Sequence, residues 1–469
     1  MKRFLVLALL LSLGITTPAQ EKQQVPQKTI AFTNATVIDA TGAPPKPGMT
    51  VVITGNRIAL VGETGKVTLP KDAQVIDSTG KFLIPGLIDM HTHGIAQMNL
   101  PHWLYIANGI TSIRDTGGDV TLLRLTREQI GSGKRSGPRL FFAGQIIDGN
   151  PPVWPDGSLL ADSPERAESA VNFLVDQGVD FIKTYNNVTE PVLKVIISTA
   201  HRRGVPVIGH VPRSITMTRA VELGMDGLEH VRITGREMLP LEEADRIDFL
   251  PYARREILLW QQFDLESRQM RQLVTFLAEK KVFLDPTLVV EEDTFVVPRE
   301  DKIKHANNRF LPAKLIEEWS TAPIPEVFRI PQELRAAALS GFEKRKRFVG
   351  LCNRAGVRII AGSDGVGLGN LLPGFGLHRE LELLVESGLS PMQALRAATI
   401  NAALALRKDR ELGTVEAGKL ADLVILEADP LKDISNTQKI SAVVANGRLL
   451  DGKARSDLLT QAEAAAKRK

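Results

Sequence analysis

From Gly86 onward, short apolar runs alternate with amphipathic stretches of helical period, and this alternation restricts the possible folds more than any other feature of the chain. A period that switches repeatedly between strand and helix predicts βαβ units around a parallel sheet. Strand-like runs fall at 87–91, 111–114, 140–146, 181–183, 207–210, 227–230, 282–285 and 357–361. Helices are predicted between them, at 164–177, 190–203, 266–280 and 377–387 among others. Eight such units over roughly 300 residues predict a closed (β/α)8 barrel, assigned to 85–406. Two stretches interrupt the alternation, 233–263 and the proline-bearing 289–332. Both follow strand C-terminal ends, where barrels of this kind carry substrate loops. They are read equally well as plain decorations.

The flanks differ in character. Short β-rich pieces at 30–38, 50–53, 57–61 and 74–76 are punctuated by turn residues, and β character returns at 422–426 and 442–444. Segments 20–84 and 407–469 are therefore expected to build one small composite β domain. Lys2 and Arg3, the apolar run 4–13 and Thr17-Pro18-Ala19 form the three-part layout of a cleaved secretory signal, 1–19. The run is about half the ~20 residues a spanning helix needs. The mature chain is thus expected to be exported, periplasmic or secreted, and free of the membrane. Its hydrophobic share of 43% and charged share of 24% exclude disorder and coiled coil. A net charge of +4 over 469 residues gives no reason to expect a nucleic-acid partner. A single cysteine, Cys352, excludes intramolecular disulfides and paired-cysteine metal sites. Metal chemistry, if present, falls to the eight histidines together with Asp, Glu and Lys.

Those histidines are not scattered. His91 and His93 end the first barrel strand, and residues two apart on a strand share a face. His210 ends the fifth strand, His230 the sixth, and Asp364 follows the eighth. One strand-end histidine is usually core. Four of them with an aspartate, all at the C-terminal ends of one barrel, point to a metal centre. Lys183 closes the fourth strand. A cationic lysine would be repelled by metal ions, whereas the same side chain carbamylated by CO2 is an anion able to bridge two. An ordinary lysine paired outward is the alternative.

Together these residues resemble the amidohydrolase superfamily of metal-dependent hydrolases. The stretch 82–93, ending in Asp89-Met90-His91-Thr92-His93, is similar to its first-strand signature, and 413–424 to its closing segment. Lys183-Thr184-Tyr185, Gly209-His210-Val211-Pro212 and His378-Arg379-Glu380-Leu381 resemble the imidazolonepropionase- and prolidase-like branch. The resemblance implies an α/β fold, a TIM barrel with a small β-sandwich domain. It implies that His91 and His93 hold one divalent ion, that His210 and His230 hold the other, and that carbamylated Lys183 bridges them. Asp364 would bind the first ion and shuttle the proton. Such ligands suit Zn2+, with Mn2+, Co2+, Ni2+ and Fe2+ left open. Relatives that cleave Xaa-Pro dipeptides carry Gly-Gly-His-Gly after the third strand. Here 147–154 reads Ile-Asp-Gly-Asn-Pro-Pro-Val-Trp, which weakens a dipeptidase assignment but not the metal site.

The expected reaction is attack of a metal-bridging hydroxide on an amide of a small molecule such as a dipeptide, an N-acyl amino acid or a cyclic amide. The same site would serve an ester, lactone or phosphotriester. Mononuclear deamination and a metal-free binding protein on the same fold are further alternatives. Tyr185 is expected to donate to a developing oxyanion, or else to pack at the mouth. Arg114 is a candidate clamp for a substrate carboxylate, or a structural partner of Asp115 or another acid. His378 is read as a substrate or second-sphere contact, or as a helix-surface residue. Trp154 is a pocket wall or a loop anchor. His102, His201 and His305 are read as surface residues, and Cys352 as core. Homo-oligomerisation is left open.

Overall fold

The computed structural model describes residues 28–96 and 102–467, so the expected leader lies outside the described residues. The flanking strands are β1 (Thr29–Val37), β2 (Lys46–Thr54), β3 (Arg57–Glu63), β4 (Gln74–Asp77) and β5 (Phe82–Pro85). The parallel strands are β6 (Leu87–Thr92), β7 (Ile110–Asp115), β8 (Arg139–Phe142), β9 (Ile146–Asp148), β10 (Ser158–Leu160), β11 (Ile182–Thr184), β12 (Val207–Gly209), β13 (Gly227–Glu229), β14 (Phe283–Asp285) and β15 (Arg358–Ile359). The chain closes with β16 (Leu423–Leu426), β17 (Ile440–Ala445) and β18 (Arg448–Leu450).

The terminal segments meet in one mixed eight-stranded sheet, β18-β17-β16-β5-β1-β2-β3, with β4 also on β1. One edge of β1 takes β4 at Ile30–Thr33 and β5 at Thr36 and Val37, so the sheet forks there. Its central strands are apolar on both faces. Leu83, Leu423 and Ile425 enter one core cluster with Phe32 and Val51, while Ile84, Val424 and Leu426 enter the main core beneath the helices. That is the period-2 reading of a strand buried twice over.

The other strands form two parallel sheets, β6-β7-β8 and β10-β9-β11-β12-β13-β14-β15. Backbone hydrogen bonds bridge them on both sides. Asp180 N–H donates to Phe142 O (3.0 Å) at one seam, and Met90 N–H to Ala361 O (2.9 Å) at the other. Along these strands Leu140, Phe142, Ile182 and Val207 pack under the helices. Phe141, Phe181 and Ile208, on the opposite parity, join Ile88, Met90 and Ile360 in a separate cluster. Lys183 and His210 carry this second parity, so their strands aim them away from the helices.

The structure departs from the sequence reading in three places. The third predicted strand, 140–146, is broken into β8 and β9, because Gly144 between them adopts a left-handed φ of 73°. The stretch 158–160, not among the expected strands, adds β10 to β9. Both interruptions are helical, with helices Gly235–Met238, Leu241–Asp248 and Tyr252–Gln262 in the first and Leu288–Phe295, Arg299–Lys304 and Ala313–Thr321 in the second. No helix among the described residues is long and apolar enough to cross a membrane.

Candidate metal centre

β6 carries His91, and His93 follows one residue beyond its end. Both rings reach Asp364, whose Oδ1 lies 3.6 Å from His91 Nε2 and 3.3 Å from His93 Nε2. His230, one residue past β13, places Nε2 3.9 Å from Asp364 Oδ2. Its ring lies 4.9 Å from that of His91 and 4.8 Å from that of His210. Four imidazoles and one carboxylate therefore share one space at the C-terminal ends of the parallel strands. Two of the residues adopt left-handed backbone, His230 at φ 64° and Asp364 at φ 49°. For non-glycine residues such conformations cost about 1–3 kcal/mol each and persist where the surroundings enforce them. Here the Asp364 N–H donates to His91 O (2.7 Å) and the His230 N–H to Asp285 O (2.7 Å).

Three of the histidines have Nδ1 in a hydrogen bond, and the fourth, His91, has a carboxylate close to it. Glu229 Oε2 stands 2.6 Å from His91 Nδ1. Gly117 O stands 3.3 Å from His93 Nδ1, Asn186 Oδ1 2.8 Å from His210 Nδ1, and Thr287 Oγ1 2.6 Å from His230 Nδ1. The Glu229 carboxylate and the Gly117 carbonyl only accept, so the ring hydrogens of His91 and His93 belong on Nδ1, and the His93 Nε2 lone pair accepts from the Thr116 hydroxyl at 3.2 Å. A partner that fixes the tautomer of a ligand histidine is the usual outer support of a metal site. Arg232 Nη1 lies 2.9 Å from His210 Nδ1. Arg232 Nε has no hydrogen-bond partner, so that donor remains for another acceptor.

Lys183 points into the same space. Its Nζ is buried and has no hydrogen-bond partner. Burial pushes its pKa down to about 8, although Glu229 and Asp364 act to raise it. Burial, together with the surrounding cations, likewise holds His91, His210 and His230 well below the ordinary histidine value, so they stay neutral. Burial would raise Asp364, but His91 and His93 outweigh it and hold the carboxyl at about 2. At His93 burial also acts to lower the pKa, but Asp364 outweighs it and raises the value. Three neutral imidazoles, a fourth paired with the ionised Asp364 carboxylate, and a stranded amine make a donor set that fits divalent ions.

Behind His91 lies a buried acid pair. Arg114 Nη2 is 2.8 Å from Glu229 Oε1 and 3.3 Å from Asp285 Oδ2, and its Nε donates to Met90 O. Arg114 is fully enclosed, which corrects its expected role as a substrate clamp: its donors are spent on the acids that support His91. His378 is corrected as well. Its two nitrogens meet Thr437 Oγ1 (3.0 Å) and Asn108 O (2.9 Å), so the buried ring ties helix Gly376–Glu386 to its neighbours rather than joining the centre. His102, expected at the surface, is buried. Tyr185 and Trp154 do come together, Trp154 Nε1 donating to Tyr185 Oη (2.9 Å) while the Tyr185 ring lies 4.0 Å from that of His210.

Sequence reasoning missed Glu229, Asp285, Asn186, Thr287 and Arg232. For Glu229 and Arg232 a signal existed, since they flank His230 at its own strand end. Two glycines make the close packing feasible. A Cβ on Gly362 would lie 2.5 Å from both Asp285 Oδ2 and His91 Cβ. One on Gly209, at φ 147°, would lie 2.2 Å from Thr184 O.

With this geometry in place, comparison with known proteins is informative. The amidohydrolase family profile matches residues 82–450. The imidazolonepropionase of Symbiobacterium thermophilum is 45% identical over 73 residues, 14% of this chain and 17% of that protein. The chain spans no more than 17% of the length of the curated relatives it matches first, adenine deaminases among them. A solved Xaa-Pro dipeptidase with bound methionine superposes with a TM-score of 0.66 at 22% identity, covering 91% of this chain and 100% of that one. Bottromycin amidohydrolase superposes at 0.74, also at 22% identity, covering 93% and 90%. Likeness at that identity speaks for the fold.

Proposed function

The chain belongs to the amidohydrolase family, and on that premise we propose that it is a binuclear metal-dependent hydrolase cleaving an amide C–N bond of a small molecule. The observation that carries this reading is the stranded, buried Lys183 Nζ set among four histidines and Asp364. His91, His93 and Asp364 would hold one divalent ion, zinc in the first instance, and His210 and His230 the other. Lys183, whose pKa lowered to about 8 leaves about a tenth of the amine uncharged at pH 7, would take up CO2 and bridge the two as a carbamate. When bound, the ions supply Lewis acidity and lower the pKa of an attacking water toward about 7.

The chain's own groups supply the rest. A carboxylate oxygen of Asp364 takes the proton from the attacking water and passes it to the leaving nitrogen, general acid–base work worth about 10²–10⁴ in rate. Tyr185 accepts from Trp154, so its own O–H hydrogen is left for the substrate carbonyl oxygen. Arg232, with an unspent donor beside His210, takes over the substrate-binding role first expected of Arg114. We read the bridged parallel sheets as a closed (β/α)8 barrel, 85–406, and the forked sheet as a small sandwich built from 20–84 and 407–469. Residues 1–19 are read as a cleaved signal that exports the enzyme to the periplasm or medium.

The test is metal content by elemental analysis of purified protein and of Lys183→Ala. Two divalent ions per chain, falling sharply in the variant, support the bridged site. One ion, unchanged by the substitution, turns the reading to a mononuclear deaminase. No metal after reloading with bicarbonate present overturns it.

A further inference from the structure

A cavity of about 1000 Å3 opens between the second interrupting segment and the loop that follows Asp364. Its walls include Phe295, Trp319, Phe328, Leu339, Val366 and Leu371. We infer that this cavity receives a bulky apolar group of the substrate, a long acyl chain or an aryl ring attached to the amide, an assignment that rests on the proposed function.

Three observations support it. First, the cavity concentrates apolar surface that water would otherwise cover. Ile324, Val327, Phe328, Leu339 and Val366 are each between 36% and 47% exposed, and four of them line the cavity. Contiguous exposed apolar patches of this kind mark binding sites. Second, several of the polar groups in the wall are spent on one another. Lys302 Nζ pairs with Asp293 Oδ2 at 2.6 Å, and Arg299 Nη2 donates to the Trp319 carbonyl at 3.0 Å. What remains for a ligand is chiefly apolar. Third, two runs of neighbouring residues lead from the cavity wall to the centre, although no residue of the centre lines the cavity itself. Val366 is two residues past Asp364, and Asp364 with His93 forms the accessible edge of the cluster, at 20% and 27% side-chain exposure. On the other side the Phe328 and Phe295 rings lie 5.7 and 6.0 Å from that of Tyr252. The Arg232 guanidinium lies 4.6 Å from the Tyr252 ring and contacts His210. A small-molecule site occupies about 300–1000 Å3, so this cavity is at the upper end of that range, and a short dipeptide would leave most of its wall wet.

The experiment is a chain-length series of N-acylglycines, from acetyl to dodecanoyl, below their micelle concentrations. Calorimetric binding and turnover are measured on the metal-loaded full chain and on Leu339→Asp and Val366→Asp. Both positions are at the surface, and thermal melting checks that each variant is folded. Affinity is expected to rise at least tenfold across the series, and each substitution to lower the affinity for N-dodecanoylglycine at least tenfold. Affinity independent of chain length overturns the proposal, as does dodecanoyl binding indifferent to both substitutions. The two readings fail separately. Tight, substitution-sensitive binding without cleavage leaves the cavity assigned and removes the amidase. Cleavage of N-acetylglycine without any length dependence does the reverse.

Discussion

At the scale of single residues, Arg114 shows how burial decides between two chemistries. An arginine that clamped substrate would be reachable and would contribute to KM. This one is enclosed between Glu229 and Asp285, and Glu229 in turn stands against His91 Nδ1. Removing one partner of a buried ion pair costs about 3–5 kcal/mol, because the remaining charges are left uncompensated. Arg114→Leu is therefore expected to lower stability by that amount in denaturant titrations and to weaken metal retention. A variant of native stability whose only defect is a raised KM would restore the clamp. The residue scale is also where the sequence was most and least informative. His91, His93, Lys183, His210, His230 and Asp364 could be singled out because each sits at or just past a strand end, a position the alternation of strand and helix reveals. The partners of Arg114 could not, since Glu229 and Asp285 lie 115 and 171 residues away and nothing local announces the contact. His378 was misread for a similar reason. Its helix was legible, but the loop carbonyl and the Thr437 hydroxyl that consume its nitrogens were not.

At the scale of elements, the two interrupting segments are fastened together rather than hung on the surface. Arg345, fully buried on helix Arg335–Ala355, reaches Glu256 on helix Tyr252–Gln262 (3.2 Å) and Glu291 on helix Leu288–Phe295 (3.4 Å). The helices were hidden from the sequence reading by their prolines, which serve here as helix starts, as at Pro298 and Pro312. Glu380, on helix Gly376–Glu386, accepts from the Val289 N–H at 2.8 Å and so anchors the start of Leu288–Phe295. Burial pushes the Glu380 carboxyl up to about 8 from its ordinary 4.5. Between those values the folded state holds a proton that the unfolded state has released, so stability is lost as pH rises through this window. Glu380→Gln keeps the acceptor and removes the titration. The wild-type unfolding free energy is expected to fall between pH 5 and pH 8 by on the order of 3 kcal/mol more than that of the variant. Parallel pH profiles for the two proteins would show that Glu380 does not carry the effect.

At the scale of the whole molecule, the mixed sheet and the candidate metal centre are one mechanical unit. β5 leads through Gly86 directly into β6, which carries His91, and β5 is paired along its length with β16. Val424 of β16 is fully buried in the main core and packs over the turn at Gly109 ahead of β7. Val424→Ala is expected to cost about 2 kcal/mol through the cavity it leaves. The loss should appear as a shift of one cooperative unfolding transition, with metal released at the same denaturant concentration as the fold. Two separated transitions would show that sheet and centre unfold independently. Both halves of the sheet were visible in sequence as β-rich flanks, whereas its fork at β1 was not, because strand pairing across hundreds of residues leaves no local mark.

The pairing of Pro85 with Leu423 spans 338 residues, and that interval is also a clock. At the ~5–20 residues per second of protein synthesis, β5 waits roughly 20–70 s for its partner to be made. Throughout that wait the strand that precedes the first two histidines has an apolar edge open to any other chain. Whatever attends this protein at birth must guard that edge, and a slow codon run placed before residue 423 would lengthen its vulnerability.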